Sequence, residues 1–470
     1  MKKKSYKLFA VLIFISIIPI SSAAQEINTL YYMDRIPQMS LMNPGRQPVC
    51  NFYLNLPGIS DVNMNLGNNS LSYNDVIMDS PVNDSLITFL HPDANIDDFL
   101  NTLKPKNSFF TQFSTTLIGF GFRAGESYFS FHARGKSDLK FSYPRDIMTF
   151  ITKGNTKGGH TDLSNFNLYS NQYLEYSLGY SGKMHQDLDF GIRVKYLNGL
   201  ANFQTSEFNL GLYTSEQADS LSLTSDIEVQ GTGPVEVTTD SLGFVEEMNT
   251  IDPQVNDLFK NPGFAVDFGF NYRLMDDLEI SASVIDLGFI NYTNYTHRYT
   301  INGQFAYTGI DVSSEFQEDV DSDPAEDLLD SLQEATKLNY SQEGFLHFLG
   351  PKIFVGGNYQ LTRKVDFGFL SRTTFFGGDV NQSFTLSANT RPIPGVSFSA
   401  SYSVMNRAFN NLGLGLGLRL GPFQAYAVSD IISAGLWPEH TKAFNFRLGL
   451  NFVIGANRMK RILDDEPMIR

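Results

Sequence analysis

The segment from Ala443 to Ile454 reads A-F-N-F-R-L-G-L-N-F-V-I. In an extended chain Phe444, Phe446, Leu448, Leu450, Phe452 and Ile454 share one face. Asn445, Arg447, Gly449 and Asn451 share the other. Strand side chains alternate with period two, so this segment has one wholly apolar face and one largely polar face. Such a strand needs a different environment on each side, and the same pattern recurs along most of the chain.

Leu188, Phe190, Ile192, Val194 and Tyr196 alternate with Asp189, Gly191, Arg193 and Lys195. Phe264 to Leu274 alternates with Ala265, Asp267, Gly269, Asn271 and Arg273. Val396 to Val404 alternates with serines, and Leu412 to Leu420 with Gly413, Gly415, Gly417 and Arg419. The pattern places strands near 108–122, 127–141, 173–183, 188–200, 264–274, 278–290, 350–361, 365–375, 382–390, 396–405, 412–420, 423–429 and 443–454. A further strand is expected around Ile59–Tyr73, with Phe52–Leu56 left over. That makes about 14.

The connectors sort by length. His185–Asp187, Met275–Asp277, Thr362–Lys364, Arg391–Gly395 and Gly421-Pro422 are short and rich in turn formers. Ser142–Asn171, Thr214–Pro262 and Tyr292–Phe348 are long; Phe376–Asn381, Met405–Asn411 and Asp430–Lys442 are intermediate. Short and long alternate from residue 108 onward, as expected of outer-membrane barrels with periplasmic turns and external loops. A soluble β-sandwich also alternates, but it needs neither this parity nor a polar second face. The expected fold is all-β: a transmembrane antiparallel β-barrel of about 14 strands, with an N-terminal lumenal segment and one short helix in an external loop.

Composition agrees. The 40 Phe and 22 Tyr favour strands. A mean hydropathy of −0.17 suits a barrel in which every second residue faces lipid. Residues 1–24 read as a signal peptide: Lys2, Lys3, Lys4 and Lys7, then the apolar run Leu8–Ile20, then Ser22-Ala23-Ala24. The expected division is residues 1–24 as signal peptide, 25–58 as an N-terminal segment placed to plug the lumen, 59–456 as barrel and 457–470 as periplasmic tail. The destination is the cell outer membrane, with lipid as the first partner.

A formal net charge of −15 argues against nucleic acid as a partner. The lone Cys50 excludes an internal disulfide and reads as a structural residue. If the apolar faces meet lipid, Arg134, Lys136, Arg193, Lys195, Arg273, Arg372, Arg419 and Arg447 point inward. Glu175, Asp189, Asp267 and Asp366 join them, giving a polar, mostly basic lumen. Such cations serve either an anionic path or a structural ladder of Arg–carboxylate contacts.

Glu315–Asp330 is strongly acidic, and Asp323-Pro324 starts a helical pattern. Asp319, Asp321 and Asp323 imitate a calcium loop, but Pro324 stands where its glycine is needed, so a solvated acidic helix is preferred. Gly413, Gly415 and Gly417 lie within a strand and precede no helix, so they are not a phosphate loop. His132 and His160 read as polar fillers. The sequence presents no catalytic constellation, so the expectation is a non-enzyme without cofactor or metal.

LYYMDRIPQMSLMNPGRQP, NPGFAVDFGFNYRLMDDLEISASVIDLGFINY, and GPFQAYAVSDII followed by FNFRLGLNFVIG resemble segments of a Bacteroidetes outer-membrane barrel family of unknown function, of the domain of unknown function 5723 type. More distantly the chain is similar to PorP/SprF proteins, linked to gliding and type IX secretion, and to FadL-like barrels. Two features depart from these: the terminal tail ANRMKRILDDEPMIR replaces a final aromatic, and the charged interior contrasts with an apolar fatty-acid path. The resemblance brings no site residues. Two functions follow as expectations: a solute channel or transporter, or an accessory or scaffold barrel of a secretion, gliding or surface-assembly machine.

Overall fold

The computed structural model describes residues 27–154, 158–217, 220–239, 245–250, 259–307, 336–405 and 408–455. Residues 1–24 with the expected signal peptide, the acidic segment 315–330 with its expected helix, and the expected tail 457–470 lie outside the described residues.

Fourteen antiparallel strands close into a barrel. β1 is built from two pieces, Phe52–Asn55 and Val62–Asn68. β2 (Lys106–Ala124), β3 (Ser127–Pro144), β4 (Asn167–His185) and β5 (Leu188–Thr214) are long. β6 (Pro262–Met275) and β7 (Leu278–Tyr292) follow. β8 is again in two pieces, Phe345–Phe348 and Lys352–Thr362. β9 (Val365–Phe376), β10 (Asp379–Thr390), β11 (Val396–Met405), β12 (Ala408–Leu420), β13 (Phe423–Ser429) and β14 (Ala443–Ile454) complete the wall. β14 pairs with both pieces of β1, Phe52 opposite Ile454 and Val62 opposite Leu448, which closes the sheet and leaves no barrel edge.

The alternation read from the sequence is realised in space. Phe264, Phe268, Leu416, Leu448 and Ile454 are exposed on the outer face, while their neighbours Asp267, Asn445, Arg447 and Asn451 are buried inside. Lipid on one side and a polar lumen on the other account for this split.

Several details differ from expectation. The first strand begins at Phe52 rather than near Ile59, and residues 56–61 leave the wall as a loop, with Gly58 at φ 76°. β9 and β10 are joined by only Gly377 and Gly378, both at positive φ, which glycine adopts without a Cβ clash. Four short helices lie in described connectors: Tyr73–Val76, Ile96–Thr102, Arg145–Lys153 and Ser433–Leu436. β5, with 27 residues, far exceeds the roughly ten needed to cross a bilayer. Its upper half pairs with a strand at Leu221–Thr232. That strand pairs with Thr296–Tyr307, and Thr296–Tyr307 with Thr336–Ser341, so the wall continues above the long-loop rim. Val235–Thr239 and Val245–Thr250 form a separate hairpin there.

Residues 27–50 fill the lumen. Two 3-10 turns, Thr29–Tyr32 and Pro37–Leu41, organise this segment, and Pro37 starts the second. A proline fits a helix start, where its missing N–H leaves no bond unmade. Leu30, Tyr31, Ile36, Met39 and Met42 pack on inward Ile285, Phe354, Leu370 and Tyr426.

Candidate functional site

The lumenal plug and the chamber beside it form the candidate site. Polar contacts hold the plug to the wall at several heights. Asp430, at the top of β13, accepts from the backbone N–H of Asn28 (2.6 Å) and Thr29 (3.1 Å). Gln38 donates to Asn451 Oδ1 at 2.7 Å, and Ser283 to the Met42 carbonyl at 2.7 Å. At the short-turn end Asp34 pairs with Arg391 at 2.9 Å.

Glycines on the wall make room for this backbone. A Cβ on Gly269 would fall on the Asn43 side chain and 2.8 Å from the Gly45 nitrogen. The glycine row of β12 serves the same purpose: a Cβ on Gly415 would lie 2.5 Å from Met33 Sδ. Its spacing therefore reflects the plug.

Between the plug and the long-loop end lies a chamber of about 90 Å³. Ile27, Leu41 and Met42 of the plug form part of its lining, as do Tyr169, Tyr173, Leu349 and Phe376 of the wall. Six cations line it: Arg134, Lys136, Arg193, Lys195, Lys352 and Arg447. They face two lining carboxylates, Asp138 and Asp286. Further acids sit behind them. Lys136 meets Glu175 at 2.7 Å and Asp286 at 3.3 Å. Lys195 meets Asp286 at 2.5 Å and Asp267 at 2.7 Å, and Arg193 meets Asp267 at 2.8 Å. Lys352 lies 3.6 Å from Asp286. A second group joins Arg447 and Arg134 to Asp61 at 2.5 and 3.4 Å. Buried charges persist only when paired in this way.

Five of the eight lumen candidates thus converge on the chamber: Arg134, Lys136, Arg193, Lys195 and Arg447. Arg372 is buried elsewhere, within electrostatic reach of Asp430. Arg273 is exposed at the short-turn rim. Arg419 sits half-buried at that rim, donating to the carbonyls of Gly421 (2.9 Å) and Val453 (3.1 Å). His132 is buried and bonds Tyr53 at 3.0 Å, and Cys50 lies 3.4 Å from the Tyr128 hydroxyl.

Sequence reading missed Asp61, Asp286 and Lys352. Asp61 belongs to the loop that leaves β1. Asp286 sits in a β-bulge, where it and Ile285 together oppose Asp267. Its φ of 63° is left-handed, a conformation Asp tolerates better than most residues. The bulge turns Asp286 inward, and its N–H donates to Asp267 at 2.8 Å. Lys352 precedes an apolar run in which inward Phe354 packs on the plug, so alternation gave it no parity. The usable signal was the double departure from alternation at Ile285-Asp286.

The fold and its occupied lumen define a plugged, fourteen-stranded transmembrane β-barrel. The chain belongs to a family of unknown function, DUF5723, whose model matches residues 44–430. No functionally curated protein matches the sequence. Among solved structures it is similar to the Ralstonia pickettii toluene transporter TbuX, with 9% identity over 93% of this chain and 97% of that one (TM-score 0.38). It is similar to the P. putida toluene transporter TodX, with 10% identity over 88% and 92% (TM-score 0.37). A Pseudomonas aeruginosa FadL homologue is 9% identical over 89% and 94% (TM-score 0.30). Similarity this distant bears on no functional argument.

Proposed function

We propose that this is a non-enzymatic outer-membrane barrel that passes a small, negatively charged polar solute, with residues 27–50 as its gate. The short-turn end then faces the periplasm. The observation that carries this reading is the cationic chamber. Its lining carries six cations against two carboxylates, which suits a carboxylate or phosphate, since lumenal Arg and Lys favour anions. The plug contributes no strand to the wall and is seated by an apolar cluster together with polar contacts, so its displacement leaves the wall's strand pairing intact. Planar-bilayer recording tests the reading with wild type and Gly269→Leu, in which the new side chain displaces the Asn43–Gly45 turn. The expected result is a nearly silent wild type and an anion-preferring current in the variant. A cation-preferring current, or none in the variant, would sink it.

A second reading is an accessory barrel of a secretion, gliding or surface-assembly machine. The strands that continue the wall above the rim, Leu221–Thr232, Thr296–Tyr307 and Thr336–Ser341, favour it by offering a raised docking surface. Cross-linking and pull-down from native outer membranes tests it; recovery of no stoichiometric partner would count against it.

A further inference from the structure

A pocket of about 390 Å³ lies at the long-loop rim, on the outside of the barrel. Its floor is the outer wall. Phe109 is exposed and stands in register with Phe141, whereas Ser108 and Phe110 on either side of it are buried. Its roof is the stretch after β1, where Leu71, Val76 and Ile77 stand over Phe109 and Tyr143. This roof has its own support. Asp75 closes a capping box with Ser72 at the start of the helix Tyr73–Val76. Behind it Leu71 packs on Phe99, Leu100 and Leu103, and Phe89 stacks on Phe99 at 4.1 Å. The pocket thus continues the apolar belt upward beneath a fixed roof. The lone Trp437, 57% exposed, stands beside the same roof, where His440 meets Asn74 at 3.5 Å. An exposed tryptophan at a barrel rim marks the level of the lipid head groups.

Two lysines are fastened to the pocket lining. Lys442 donates to the carbonyl of Ser70, and Ser70 bonds Asn107. The Asn107 side chain accepts from the Lys104 N–H (3.0 Å) and donates to the Lys104 carbonyl (2.8 Å). Ser70 and Asn107 both line the pocket. The two ammonium groups feel each other: partial desolvation and then Lys442 hold Lys104 below the usual lysine range. Neither has a carboxylate partner among the described residues. The acids of the flanking segments have other contacts: Asp97 pairs with Lys153, Asp98 accepts from Asn95, and Glu439 lies 3.9 Å from His440. Two unmatched cations beside an apolar pocket at head-group level complement one kind of molecule, a lipid with an anionic head.

We propose that this pocket holds an acyl chain of an outer-leaflet lipid whose phosphate lies between Lys104 and Lys442. The site is on the opposite side of the wall from the chamber and does not depend on transport.

Native mass spectrometry of the detergent-solubilised full chain tests the proposal. The probes are bis-phosphorylated lipid A, its dephosphorylated form and inorganic phosphate. Wild type is expected to retain the phosphorylated lipid in preference to the dephosphorylated one. Lys104→Gln with Lys442→Gln should weaken that retention roughly thirtyfold, the effect of two cations at a membrane surface. Val76→Trp fills the pocket and should abolish retention while both lysines remain. Heat-dependent migration on gels verifies that each barrel is folded; if Val76→Trp is not, the lysine pair decides alone. Equal retention of the two lipids, or no change in the lysine variant, overturns the proposal. So does displacement of the lipid by equimolar inorganic phosphate, which would mean a bare anion site.

Discussion

Asp61 Oδ1 accepts from Arg447 Nε at 2.5 Å, and this bond spans the seam where the first and last strands meet. Asp61 comes from the loop that leaves β1, and Arg447 from the inner face of β14. The same carboxylate reaches Arg134 on β3 and accepts from the Tyr426 hydroxyl on β13 at 3.0 Å. The Thr116 hydroxyl of β2 also donates to it at 3.2 Å, so one buried acid ties five strands around the closure.

Replacing it should be costly. Asp61→Asn keeps the shape but removes the negative charge that faces Arg134 and Arg447. Removing one partner of a buried pair typically costs about 3–5 kcal/mol. The folded, fast-migrating gel band should be lost at a clearly lower temperature than in wild type. An unchanged melting profile would mean that the seam is held by the sheet alone.

The lysines of the chamber should differ in weight. Lys195 is almost fully buried and touches Glu175, Asp267 and Asp286. Lys352 is more open and lies 3.6 Å from Asp286. Thermal unfolding should show a loss of about 3–5 kcal/mol for Lys195→Met. Lys352→Gln should lose only about 1 kcal/mol or less. In the Gly269→Leu background, Lys352→Gln should also move the reversal potential away from anion preference.

The Asp34–Arg391 pair should act as a weak latch. Arg391 keeps Asp366 at 2.6 Å when Asp34 is removed, so Asp34→Ala strands no buried charge. A part-exposed pair is worth about 0.2–1 kcal/mol, so the open fraction should rise no more than about fivefold. Open probability in single-channel records measures this; a wall collapse would contradict it.

Cys50 offers a native reporter. It is buried at the base of the plug and is the chain's one cysteine. Maleimide labelling of the folded protein should be slow in wild type and much faster in Gly269→Leu, with mass spectrometry as the readout. Equal rates would mean that the plug stays seated when Asn43–Gly45 is displaced.

The barrel was legible because lipid imposes period two on the outer face regardless of what lies inside. Phe444 to Ile454 carries that signal without interruption. The site was less legible because the inner face answers to two neighbours, water and plug. Phe354, Leu370 and Tyr426 are apolar and inward because Tyr31 and its neighbours cover them. Arg193 and Lys195 could be placed by parity, but Lys352, next to Phe354, could not. Asp286 was hidden for a further reason: a bulge shifts the count by one residue, and period alone cannot tell a bulge from a strand end. The plug itself has no periodicity, since two short 3-10 turns bury residues on every side.

The anchoring of Asn28 by Asp430 also carries a consequence for the order of assembly. The two residues are 402 positions apart, so a residue near the start of the chain finds its partner near the other end. During assembly Asn28 and Thr29 stay unmatched until β10 to β13 are in place, although Gln47 and Cys50 meet Arg123 of β2 and Tyr128 of β3. Contacts of such long sequence separation form late. Seating of the plug is then expected to be the closing event of biogenesis, and protection of residues 27–50 from protease should appear only as β14 meets β1.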